Sequence, residues 1–97
     1  MRVIAKKALR EFWERRPDAE QPLRAWHGEV KAAAWRTPAD VKGKYRSSSI
    51  LGGSRVVFNI GGNKYRLVVK INYPFQVVYI RFVGTHREYD HIDAETI

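Results

Sequence analysis

Three short runs near the C-terminal end constrain the fold more than anything else in the chain. Residues 55–60 (RVVFNI), 64–71 (KYRLVVKI) and 76–83 (QVVYIRFV) are rich in β-branched and aromatic side chains, the composition of strands. Gly61-Gly62-Asn63 and Asn72-Tyr73-Pro74-Phe75 separate them and read as turns. Connections this short leave no room for a crossover, so the three strands must pair antiparallel with their neighbours. Ahead of them the apolar period is helical. Ala5, Ala8, Leu9, Phe12 and Trp13 form one stripe within 4–16, and Pro17 stops it. Asp18 lies near a natural N-cap position for a second helix, whose stripe is Leu23, Trp26, His27, Val30, Ala33 and Ala34, ending near Trp35 or Arg36. Thr37-Pro38-Ala39-Asp40 supplies an N-cap, an N1 proline and an acidic first turn, which predicts a third, short helix. Residues 1–3 suit an edge strand, and 43–54 read as a Ser/Gly-rich loop. The expectation is an α+β fold, one domain over 1–97, with helices packed on one face of a small antiparallel sheet.

Strand alternation assigns the faces. Val56, Phe58, Ile60, Tyr65, Leu67, Val69, Ile71, Val78, Ile80 and Phe82 should lie beneath the helices. The opposite face should carry Val57, Asn59, Val68, Val77, Tyr79 and Val83 together with Arg55, Lys64, Arg66, Lys70 and Arg81. Trp26 and Trp35 read as core residues, and His27 as a core or interface histidine.

Charge sharpens that picture. The net is +8 on 97 residues, and residues 41–87 hold nine basic side chains and no carboxylate. Residues 88–97 hold four acidic side chains and no basic one. A segment unable to neutralise its own field should face a polyanion. Lys42, Lys44 and Arg46, just before the sheet, would extend the basic surface. No cysteine is present, which removes disulfides, thiolate nucleophiles and cysteine metal sites. The longest uncharged stretch is ten residues, Ile71 to Ile80, too short for a membrane span. Charges break the N-terminal stretch, so no signal peptide is visible and a cytoplasmic protein without membrane contact is expected.

The densest protonatable cluster follows the last strand: His86, Tyr89, Asp90 and His91. Metal-independent RNA cleavage needs a base for the 2′-OH, in-line geometry, cations on the phosphorane and an acid for the leaving oxygen. Histidine suits the proton steps and arginine the phosphate. A metal centre fits poorly, because no further element supplies ligands beside His86, Asp90 and His91, and no cofactor is implied.

MRVIAKKALREFWE, the spacing W-x-x-P-x-D-V-K, RVVFNIGGNKYRLVVKINY and YIRFVGTHREYDHID together strongly resemble HigB-type toxins of the RelE/ParE superfamily. The resemblance covers nearly the whole chain. It implies a RelE-like fold and ribosome-dependent endoribonuclease (mRNA interferase) activity that inhibits translation. It also implies neutralisation by a HigA-type helix-turn-helix antitoxin, with operator DNA bound only through that antitoxin. By the same resemblance Arg66 inherits a phosphate-binding role, and His86 and Tyr89 the acid/base and tyrosine roles. Arg55, Lys64, Lys70, Arg81, Lys44 and Arg46 would support RNA or phosphate binding. The lysine-rich strand that supplies the base in the best-known relative reads RVVFNI here. His86 is therefore the first choice of base, with Lys64 or Asp90 behind it. The competing readings are a non-enzymatic ParE-like gyrase inhibitor and a basic RNA-binding domain.

Overall fold

The computed structural model describes every residue from Met1 to Ile97. In chain order the elements are β1 (Arg2–Ile4), α1 (Lys6–Arg15), a 3-10 turn (Pro17–Ala19), α2 (Glu20–Ala32), α3 (Pro38–Lys44), β2 (Ser49–Ile50), β3 (Arg55–Ile60), β4 (Tyr65–Asn72), β5 (Val77–Thr85) and α4 (His86–Tyr89). The sheet order is β1-β5-β4-β3-β2. Strands β3, β4 and β5 form the expected antiparallel meander, while β1 joins the edge of β5 in parallel, so the sheet is mixed. That pairing takes Ile4 into a strand and delays α1 to Lys6. Of its expected stripe, Leu9, Phe12 and Trp13 are buried, whereas Ala5 and Ala8 stay exposed.

Helices α1 and α2 cover one sheet face, and their apolar stripes meet the strands in a core of 18 buried residues. Phe12 meets Tyr65 edge-on at 5.2 Å between centroids, and Trp26 meets Phe58 at 5.4 Å. Burying side chains of this size contributes about 1.5–3 kcal/mol each. Helix α2 ends at Ala32, earlier than its stripe suggests. The Met1 amino nitrogen donates to the carbonyls of Val30, Lys31 and Ala33 at 3.2, 2.9 and 2.7 Å, which satisfies the open end of the helix. Trp35, freed from the helix, stacks on Phe58. Asp18 does not cap α2, whose N-cap position falls on Ala19 and has no side-chain cap. The expected 43–54 loop contains the last two residues of α3 and the two-residue strand β2.

Two face assignments in β5 need correction, and both have one cause. Val68 pairs with Phe82 but Val69 pairs with Ile80, a β-bulge that leaves Arg81 without a partner across the ladder. Beyond the bulge the alternation inverts. Val83 packs against the helix-side core, and Phe82 turns to the other face. That other face is not bare either. Residues from the C-terminal segment lie over it, where Ala94, Ile92, Ile97 and Tyr89 join Val57, Val68, Leu51 and Phe82 in a second apolar cluster.

Candidate functional site

Strand β4 carries Arg66, which sits opposite Asn59 of β3 on one side and Gly84 of β5 on the other. Gly84 is buried, and a Cβ there would lie 2.6 Å from the tip of the Phe82 ring and 3.2 Å from the Glu88 Cβ. The bare backbone lets α4 fold directly onto the end of the sheet. A reciprocal cap starts that single turn. The Glu88 amide donates to Thr85 Oγ1 at 3.2 Å, and the Thr85 amide donates to Glu88 Oε1 at 2.9 Å. The bond from the Thr85 backbone is the main reason the Glu88 carboxyl lies below its usual range, so Glu88 is an acceptor here and not a proton donor.

The turn presents His86 and Tyr89 to Arg66. The Arg66 guanidinium lies over the Tyr89 ring, 5.6 Å from its centroid, and donates from Nη1 to Asn63 Oδ1 at 3.0 Å. His86 Nε2 hydrogen-bonds the main-chain oxygen of the same Asn63. An arginine has five N–H donors, and this one spends a single donor on the protein. A half-buried cation, an imidazole and a phenol thus share one small area at the end of the sheet.

The other expected residues scatter around this group. Lys64 is drawn to Asp18, 3.0 Å away, on the helix side of the turn. Arg55 donates from Nε and Nη2 to the main-chain oxygen of Ile97 at 2.9 and 2.6 Å, and Arg81 donates to the same oxygen at 3.2 Å. Lys70 is exposed between Arg55 and Tyr79. Arg46 is exposed in the loop after α3, and Lys44 lines a hollow with Gly28, Glu29, Ala32, Ala33 and Trp35 on the helix side, apart from Arg66. Asp90 and His91 are exposed, and their side chains bond to none of the three central residues. No three His, Asp or Glu side chains converge as metal ligands. No helix is long and apolar enough to cross a membrane.

Asn63 escaped the sequence reading, which saw only a turn residue. Its φ of +80° follows Gly61 and Gly62 at +64° and +63°. The signal was the third place in that turn, where asparagine tolerates the left-handed region.

Helices on one face of a small, mostly antiparallel sheet give a fold consistent with the RelE-like class, and Arg66, His86 and Tyr89 gather where β4 and α4 meet. The family model described as "HigB_toxin, RelE-like toxic component of a toxin-antitoxin system" matches residues 19–92, and the chain belongs to that family. The curated mRNA interferase toxin HigB of Escherichia coli (strain K12) is 32% identical over 96 residues, spanning 97% of this chain and 92% of that protein. The mRNA interferase HigB proteins of Escherichia coli O157:H7 and Shigella flexneri match to the same extent.

Proposed function

We propose that this HigB-type toxin is an mRNA interferase that cuts translated mRNA on the ribosome. The observation that carries this reading is the convergence of Arg66, His86 and Tyr89 on one exposed edge, together with the printed activity of relatives that span nearly the whole chain. His86 takes the proton of a ribose 2′-OH, and the freed oxygen attacks the adjacent phosphorus. The bond to the 5′-oxygen breaks, leaving a 2′,3′-cyclic phosphate and, once that oxygen is protonated, a 5′-OH end. Arg66 offers its unused donors to the phosphorane charge. Tyr89 supplies a ring for stacking and a phenolic proton beside Arg66.

The site is shallow and has nothing on its own to bend RNA into line. A ribosome that presents the mRNA in that geometry would supply an orientation term worth up to about 7–11 kcal/mol. As the toxic half of a toxin–antitoxin system the chain has an antitoxin partner, which we take to be a HigA-type helix-turn-helix protein that carries the pair to operator DNA.

Primer extension tests this directly. Discrete cuts should appear in ribosome-bound mRNA and scarcely at all in the same free RNA. R66A and H86A should each lose about 100-fold or more in cutting while still binding antitoxin. Equal cutting of free and ribosome-bound RNA, or wild-type cutting by both variants, defeats the proposal.

A further inference from the structure

Asn63 touches both groups that the proposed reaction needs, through two different atoms. Its side-chain oxygen holds Arg66, and its main-chain oxygen holds His86. The second contact has a chemical consequence. A carbonyl oxygen only accepts, so the ring nitrogen facing it must carry a hydrogen. Neutral His86 is then the Nε2–H tautomer. Its lone pair sits on Nδ1, which has no hydrogen-bond partner in the protein. The first contact acts on freedom of movement. Arg66 is braced between the Tyr89 ring and Asn63 Oδ1, so its remaining donors are already oriented when a phosphate arrives. The left-handed backbone at Asn63 aims both oxygens at once.

We propose that Asn63 is the positioning residue of this site, fixing Nδ1 of His86 as the proton-accepting nitrogen and holding Arg66 toward the phosphate. The proposal rests on the reading of the site as a ribonuclease centre. It adds which nitrogen works and what orients the pair.

Two measurements test it. In the wild-type protein, long-range proton–nitrogen NMR correlations of the His86 ring at a pH where it is neutral should show the Nε2–H tautomer. N63G keeps both the left-handed backbone and the carbonyl, so it should show the same ring pattern and the same thermal midpoint within a few degrees. Loss of the bond to Arg66 should lower its kcat on ribosome-bound mRNA by about tenfold, with KM within about twofold because substrate binding energy is spread over the basic surface. N63D retains an Oδ1 acceptor and should recover most of what glycine loses. An Nδ1–H tautomer in the wild type, or wild-type kcat in N63G, overturns the proposal. The controls separate this from the underlying reading. R66A and H86A inactive with N63G fully active refutes the role of Asn63 alone, whereas full activity in all three refutes the site itself.

Discussion

Asp18 shows how one side chain decides where a neighbouring cation goes. Its carboxylate accepts from the Tyr65 hydroxyl at 2.5 Å and from Lys64 Nζ at 3.0 Å. The Tyr65 bond, followed by Lys64, holds the Asp18 carboxyl below its usual range. In return, the bond to Asp18 raises both the Tyr65 hydroxyl and the Lys64 ammonium. The signs set the pH window. A lowered carboxyl contributes stability above the ordinary aspartate value of about 3.9, and loses it as pH falls through the folded value. The raised tyrosine and lysine contribute below about 10 and lose it as pH climbs through their folded values. D18N should therefore be less stable than wild type at pH 7, with the gap closing as pH falls through the folded Asp18 value and the wild-type carboxyl is protonated. Urea midpoints across that range check this, and a gap that persists undiminished at acid pH rejects the ion-pair account. Lys64 was expected on the RNA-facing surface. The alternation of β4 gives no hint of Asp18, which lies 46 residues away in sequence.

Helix starts carry the clearest contrast at the scale of elements, because two reciprocal caps serve different ends. Thr37 with Asp40 starts α3, and Thr85 with Glu88 starts α4. Removing either threonine hydroxyl should cost about 1 kcal/mol of local stability. T37A should register only in a denaturation curve, since α3 presents none of the central residues. T85A loosens the turn that carries His86 and Tyr89, and cutting of ribosome-bound mRNA should fall about tenfold or more. Equal activity in the two variants, measured side by side, would remove α4 from the mechanism. The first cap was legible because proline follows threonine at N1. The second went unread, although Thr85-His86-Arg87-Glu88 has the same form. The meander was equally plain from β-branched runs and short turns, and Trp26 and Trp35 are indeed buried. The bulge at Arg81 was not, because VVYIRFV has apolar residues at both parities and alternation runs through it undisturbed. Arg66, His86 and Tyr89 do come together, but His86 is held there through the main-chain oxygen of Asn63, a contact with no side-chain signature at all.

For the whole molecule, the question is how a chain with such segregated charge keeps part of its basic face closed. The carboxylate-free stretch 41–87 supplies four of the sheet's five strands, and the acidic segment 88–97 folds across its helix-free face. Apolar contacts hold the segment down through Ile92, Ala94 and Ile97, and the Ile97 main-chain oxygen occupies Arg55 and Arg81 together. Arg66 keeps most of its donors free. The face is thereby divided into a closed half and an open half, and single-stranded RNA should meet fewer cations than the sequence offers. Removing residues 93–97 deletes Asp93 and Glu95, raises the net charge by two and takes the Ile97 oxygen away from both arginines. Stability should fall by about 1–3 kcal/mol as Ala94 and Ile97 leave their cluster. Affinity for non-specific single-stranded RNA should rise at low salt. If Arg55 and Arg81 each reach a phosphate, the slope of log K against log salt should steepen by about 1.4. Reading the slope in the full chain and the shortened one isolates these contacts, because uniform loosening of the fold would weaken binding without adding counterion release. An unchanged slope would mean that Ile97 does not restrain the two arginines, and that the sheet's cations are all equally available to RNA.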